Sequence, residues 1–204
     1  MSAIDTILRT GPVIPVLVID DLKQARPVAK ALVAGGLRVL EVTLRTPCAL
    51  DAIRAMSEVD GAIVGAGTVL HERDLDPAIA AGARFIVSPG LTEALGQAAI
   101  ERQVPFLPGI ATAGDIMRGL ELGLDRFKFF PAEAVGGLQL LASLAGPFGN
   151  ILFCPTGGIT LNSAPTWLAH PSVCCVGGSW IVKAGETDVA AIAERARAAA
   201  NLKK

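Results

Sequence analysis

Lysine is rare inside an apolar strand, yet one stands at position 128 in RFKFFP, residues 126–131. Strand alternation puts Phe127 and Phe129 on one face and Lys128 and Phe130 on the other. If the phenylalanines meet helices, Lys128 points into the protein interior. Burial there disfavours an ammonium and favours the neutral amine, the form that attacks a carbonyl. An edge-strand lysine snorkelling to water is the plainer alternative. A second polar set lies in LEVTLR, residues 40–45. At strand spacing Glu41, Thr43 and Arg45 share one face. Glu41 can shuttle protons, and the planar fork of Arg45 can grip a carboxylate. An internal Glu41–Arg45 ion pair would use the same residues for structure alone.

Two glycine-rich turns are expected where the last two apolar runs end: Thr156-Gly157-Gly158 and Gly177-Gly178-Ser179. Glycines let a backbone approach an anion, and N–H groups at a helix start attract phosphate. Plain tight turns are the alternative. The run Gly65-Ala66-Gly67-Thr68 mimics the opening of a dinucleotide fingerprint, but Leu70 occupies the third glycine position, so that reading is set aside. Thr68 is read as a polar orienter at a strand end. Glu93 and Glu133 are read as solvated or capping residues, and Trp167 and Trp180 as core or interface.

Other chemistries lack their residues. Histidines stand only at 71 and 170, both read as loop positions, so no metal cluster or Ser-His-Asp arrangement is expected. Cys48, Cys154, Cys174 and Cys175 form no C-x-x-C. They are read as buried thiols in a reducing compartment, with the adjacent pair on opposite faces of a strand.

The elements that must position these residues are legible as a repeat. Apolar runs rich in β-formers occupy 13–19, 39–44, 62–69, 85–88, 105–108, 126–130, 151–155 and 173–176. The segments between them have helical character. Leu22–Ala34 is capped by Asp20 or Asp21 and stopped by Gly35-Gly36; further helices are expected over 48–56, 75–81, 116–122 behind a Thr112–Asp115 capping box, and 188–200. Lys203-Lys204 reads as a solvated end. Continuously apolar strands alternating with helices imply a parallel sheet covered by helices. Eight regular units favour a closed (β/α)8 TIM barrel over an open doubly wound sheet, with 1–204 as a single compact domain.

Of 204 residues 51% are apolar, with 18 Lys+Arg against 19 Asp+Glu, a net charge of −1. That balance argues against a nucleic-acid surface. No apolar run reaches the ~18 residues of a membrane span. Residues 1–20 lack a basic start, and Pro15 breaks their apolar stretch, so no secretion signal is expected. A cytoplasmic protein acting on a small molecule is the expectation.

Taken together, these motifs resemble the class I 2-keto-3-deoxy-6-phosphogluconate (KDPG) aldolases, which also act as 4-hydroxy-2-oxoglutarate (KHG) aldolases. The carriers are GPVIPV from 11, AGG from 34, LEVTLRT from 40, VGAGTV from 64, SPGLT from 88, LPGI from 107, FKFFPAE from 127, FCPTGGI from 153 and GGSW from 177. The resemblance implies Lys128 as Schiff-base former, Glu41 as acid/base and Arg45 as carboxylate binder. It implies Thr68, Pro89, Phe130 and Thr156 as keto-acid contacts, and Gly157, Gly158, Gly178 and Ser179 as the phosphate site. It further implies a homotrimer of barrels, no metal or other cofactor, and a place in the Entner–Doudoroff pathway. A phosphogalactonate aldolase and a non-catalytic phosphosugar-binding barrel are the alternatives.

Overall fold

The eight apolar runs become nine strands in the computed structural model, which describes residues 2–202. They are β1 (Val13–Leu17), β2 (Val39–Thr43), β3 (Ile63–Gly67), β4 (Ile86–Val87), β5 (Phe106–Leu107), β6 (Gly109–Ile110), β7 (Arg126–Phe129), β8 (Leu152–Pro155) and β9 (Val176–Gly178). The extra strand, Gly109–Ile110, lies just past the fifth run, on the far side of Pro108. Proline has no N–H to donate to a ladder. β5 therefore pairs with β4 and β6 with β7, while the Pro108 carbonyl accepts from Lys128 N at 2.8 Å.

All described strand pairs are parallel. One sheet runs β5-β4-β3-β2-β1-β9 and a second β6-β7-β8. Single parallel bridges, Phe153 to Val173 and Thr156 to Gly177, link the two at their other end. The result is a curled parallel α/β sheet. The last strand lies three residues later than expected, because its ladder partner Val13 selects Val176. Cys174 and Cys175 thus precede β9 in irregular chain. Both enter the interior, with Sγ atoms 4.0 Å apart, and not opposite faces of a strand.

The helices are α1 (Ala3–Leu8), α2 (Leu22–Ala34), α3 (Ala49–Ser57), α4 (Leu75–Ala80), α5 (Glu93–Glu101), α6 (Ala113–Glu121), α7 (Gly137–Ala145), α8 (Ala164–Leu168) and α9 (Val189–Ala200). Caps set several starts. Asp21, Thr92, Thr112 and Asp188 each accept from first-turn N–H groups, and Asp115 returns the bond to Thr112 N. Helix α2 matches its expected bounds. Lys203 and Lys204 lie outside the described residues.

Two apolar layers result. The outer one joins the helices to the outward faces of the strands. The inner one gathers Ile14, Val39, Phe85, Val87, Leu107 and the three buried cysteines inside the curl, with Ile4 and Leu8 of α1 beneath them. Helix α1, which the sequence reading missed, is the floor of that interior.

Candidate active site

The position of Lys128 follows from its neighbours. Phe127 and Phe129 are fully buried in the outer layer. The Phe129 ring lies 6.3 Å from Phe153, edge on, and 6.2 Å from Trp167. Two such anchors fix the strand's facing, so Lys128 must point inward. Its Nζ donates to Glu41 Oε1 at 3.0 Å, and the two side chains are 7% and 4% exposed. The Phe130 ring lies 5.4 Å from Nζ, within cation–π range. The snorkelling alternative for Lys128 is excluded. So is a Glu41–Arg45 ion pair, because the carboxylate's partner is the lysine.

Arg45 departs from the sequence reading. β2 ends at Thr43, whose hydroxyl donates to Leu17 O at 2.8 Å. Arg45 sits exposed in the turn beyond, and its Nε donates to Thr68 Oγ1 at 3.3 Å. Freed from the ladder, its fork faces solvent at the strand's C-terminal end. Thr68 holds φ +58°, costly for a β-branched residue. Such a conformation persists only when the surroundings enforce it. Pro89 and Phe130 line a cleft of about 380 Å³ at the ends of β3, β4, β6 and β7, together with Ser88, Gly109 and Ile110.

The glycine segments divide into two kinds. Gly157 and Gly158 do form a turn, at φ +106° and +81°, which side-chain-bearing residues rarely adopt. Gly178, by contrast, lies within β9, where the Trp180 ring fills the space a side chain would need. Only Ser179 begins the turn. Thr156, at the end of β8 and nearly buried, bridges to Gly177, so the two segments are adjacent. Glu133 is exposed, as expected, but it also makes two ties. Its N–H donates to Gly157 O at 3.1 Å and its Oε1 accepts from Trp167 Nε1 at 3.0 Å, tying the turn to the outer core. Glu93 is indeed exposed, at the start of α5. Trp167 is core; Trp180 is half-buried, with its Nε1 unpaired.

Beneath the pair lies a charged clasp. Arg126, on the inward face two residues before Lys128, donates to Asp5 Oδ1 at 2.6 Å, and Arg9 donates to Oδ2 at 2.8 Å. Burial pushes the Asp5 carboxyl up, but the two guanidiniums outweigh it and hold the group below its ordinary value. None of the four cysteines is in a disulfide. Contact with Cys154 and Cys174, together with burial, pushes the Cys175 thiol well up, which makes it a poor nucleophile. Among the described residues no three His, Cys, Asp or Glu side chains converge on a metal-sized site, and no helix is long and apolar enough to cross a membrane.

An interior amine held against a carboxylate, beneath loops at the strand C-termini, is the arrangement of an α/β enzyme's site. Comparison narrows the class. The family model for KDPG and KHG aldolase matches residues 4–195, and the chain belongs to that family. It is 56% identical over 184 residues to the KHG/KDPG aldolase of Escherichia coli K12, covering 90% of this chain and 86% of the relative. The crystal structure of the 2-keto-3-deoxy-6-phosphogluconate aldolase of Zymomonas mobilis ZM4 with 3-phosphoglycerate superposes with a TM-score of 0.98 at 59% identity, over 99% of this chain and 97% of that one. The KDPG aldolase of Legionella pneumophila, with pyruvate captured as a covalent carbinolamine, gives 0.95 at 42% identity, over 98% and 99%.

Proposed function

We propose that this protein is a Schiff-base aldolase that reversibly cleaves 2-keto-3-deoxy-6-phosphogluconate to pyruvate and glyceraldehyde 3-phosphate. The observation that carries the reading is the buried 3.0 Å contact between Lys128 Nζ and Glu41 Oε1. Transfer of one proton across it gives a neutral amine and a carboxylic acid. The amine's lone pair attacks the substrate C2 carbonyl, and Glu41 delivers a proton to the oxygen as the nitrogen loses one. Loss of water from this carbinolamine leaves an iminium. Glu41 or a water it activates removes the proton of the C4 hydroxyl, and the C3–C4 bond breaks. Its electron pair neutralises the iminium, leaving an enamine on Lys128 and a free aldehyde. Protonation at C3 and hydrolysis release pyruvate and restore the amine. The iminium is the electron sink, so no metal or other cofactor enters the proposal.

Arg45 grips the keto-acid carboxylate with its solvent-facing fork, and Thr68 orients that fork. Pro89, Phe130 and Thr156 bound the pyruvyl portion. The Gly157–Gly158 turn, Gly178 and Ser179 offer backbone N–H groups and a hydroxyl to the distal phosphate. The KHG/KDPG name of the Escherichia coli relative supports a second substrate, 4-hydroxy-2-oxoglutarate, cleaved to pyruvate and glyoxylate.

The same reading places the chain as one (β/α)8 barrel domain. Support comes from the bridges Phe153–Val173 and Thr156–Gly177, from the Lys128 N–H bond to the Pro108 carbonyl, and from a single outer core reaching from Val13 to Ala199. Exposed Met117 and Leu120 on α6 offer apolar surface for a homotrimer. None of the four cysteines lies in a disulfide, which suits a cytoplasmic setting. The test is reductive trapping. Pyruvate with borohydride should leave one carboxyethyl group on Lys128, the reduced imine, and abolish activity in step. An unmodified Lys128 under those conditions defeats the mechanism.

A further inference from the structure

Glu41 and Lys128 come from strands that are not neighbours. In the sheet order β3, β4 and the broken β5–β6 strand stand between β2 and β7. The acid must therefore cross the interior to reach the amine. What it crosses is β3, whose sequence is IVGAG. Gly65 and Gly67 are two apart and share a face. A Cβ on Gly65 would enter the Phe85 ring. A Cβ on Gly67 would fall 2.6 Å from Glu41 Cγ, 2.8 Å from Cδ and closer still to Oε1. Neither glycine has a left-handed φ. The backbone at both positions accepts any L-residue, and space is the only demand.

We propose that Gly67 is a positioning residue for catalysis, its missing side chain being the gap through which Glu41 reaches Lys128. This rests on the aldolase reading above and extends it to a residue that touches no substrate. A methyl group at 67 meets Glu41 from Cγ outward, not merely its flexible tip. The carboxylate cannot then keep its place against Nζ. Displacement falls on the proton-transfer contact, while Arg45 and the glycine turn at 157–158, which bind substrate, are left alone. A reacting group moved by about 1 Å typically loses on the order of 10²-fold in rate.

The experiment compares wild type, Gly67→Ala, Glu41→Ala and the double variant by kcat, KM, thermal midpoint and pyruvate–borohydride trapping. Gly67→Ala should lower kcat about 10²-fold with KM within threefold, and slow trapping in parallel. In the Glu41→Ala background the same substitution should cost nothing further, because no carboxylate remains to be displaced. If Gly67→Ala instead lowers stability, the double variant should regain it by removing the clash. Wild-type kcat in Gly67→Ala, or losses that multiply in the double variant, would overturn the inference while leaving the mechanism standing. A wild type that traps no pyruvate would sink the aldolase reading. The Gly67 claim is then judged by a crystal structure of Gly67→Ala, in which Nζ and Oε1 should lie beyond hydrogen-bond distance; an unchanged contact refutes it.

Discussion

Asp5→Asn tests whether α1 is clasped to the strand that carries the lysine. The wild-type carboxylate is 2% exposed and bonded by Arg126 at 2.6 Å and Arg9 at 2.8 Å. Removing one partner from a buried ion pair costs about 3–5 kcal/mol, because the other charge stays behind. Two features put this case at the lower end. Arg126 keeps Asp125 at 3.1 Å, and Arg9 is 42% exposed, so solvent screens its share. A loss of about 3 kcal/mol is expected at neutral pH, or roughly 6–12 °C in melting temperature for a chain of this length. The loss should depend on pH. The folded carboxyl titrates below its ordinary value, and the unfolded one near ~3.9. A depressed folded value stabilises above the unfolded pKa, and that stability drains away as pH falls through the folded one. The gap between wild type and Asp5→Asn is thus full at neutrality, begins to close below about pH 5, and keeps closing as the solution becomes more acid. Urea unfolding of both proteins across that range is the assay. A gap under about 1 kcal/mol at neutral pH, or one that does not narrow in acid, would refute the clasp.

Three further substitutions probe the proposed chemistry. Glu41→Gln keeps the side chain's shape but not its basicity, and should lower kcat by roughly 10²–10⁴-fold with modest change in KM, read by steady-state cleavage. Arg45→Lys should lower kcat/KM for every 2-keto acid substrate by about 10-fold or more, since a point ammonium does not reproduce a planar fork; recovery to wild-type kinetics would argue against carboxylate binding there. Ser179→Ala should raise KM about 10-fold for the phosphorylated substrate and leave KM for 4-hydroxy-2-oxoglutarate unchanged, consistent with about 1.4 kcal/mol for one hydrogen bond to a charged group. Equal effects on both substrates would remove Ser179 from the phosphate site.

What the sequence disclosed follows from which forces are local. Buried parallel strands read as continuous apolar runs, so their number and spacing were visible. Helix α2 was bounded correctly because Asp21 and Gly35-Gly36 punctuate it. The errors sit where distant partners decide. VCCV, residues 173–176, is apolar and β-forming throughout, and only pairing with Val13 selects Val176 as the start of β9. Helix α1 has six residues, too few for a periodic signal, and it holds its place through Asp5 and Arg126, 121 positions apart. Glycines misled most. In a sequence, a glycine needed for a turn, like Gly157, looks the same as one needed for room, like Gly178 or Gly67. Only the neighbouring side chain tells them apart. For the same reason Lys128 and Glu41 were legible as unusual residues, but only the family resemblance, and no local pattern, implied that they meet across 87 positions.

Strand parity orders the interior from floor to mouth. On β2 the inward set is Val39, Glu41, Thr43 and, past the strand's end, Arg45. On β7 it is Arg126, Lys128 and then Phe130; on the fourth run, Phe85, Val87 and Pro89; on β8, Leu152, Cys154 and Thr156. Three of these four sets begin at the floor with an apolar residue, and the fourth begins with an arginine clasped by Asp5 from α1. Each proceeds toward a residue assigned here to substrate. The floor thus holds apolar groups and one paired charge cluster, Arg126 and Arg9 on Asp5, while the mouth holds the residues proposed for substrate. The lysine and its carboxylate stand between the two, both buried, with Cys154 level with Lys128 in the ladder and Arg126 two residues below it. On the proposed mechanism this arrangement shields the amine while the substrate's two anionic ends remain near solvent, where fewer hydrogen bonds suffice to hold them. It also explains why Glu41 must reach Lys128 through the interior: an acid at the mouth would be solvated, and one at the floor would lie below the amine's reach.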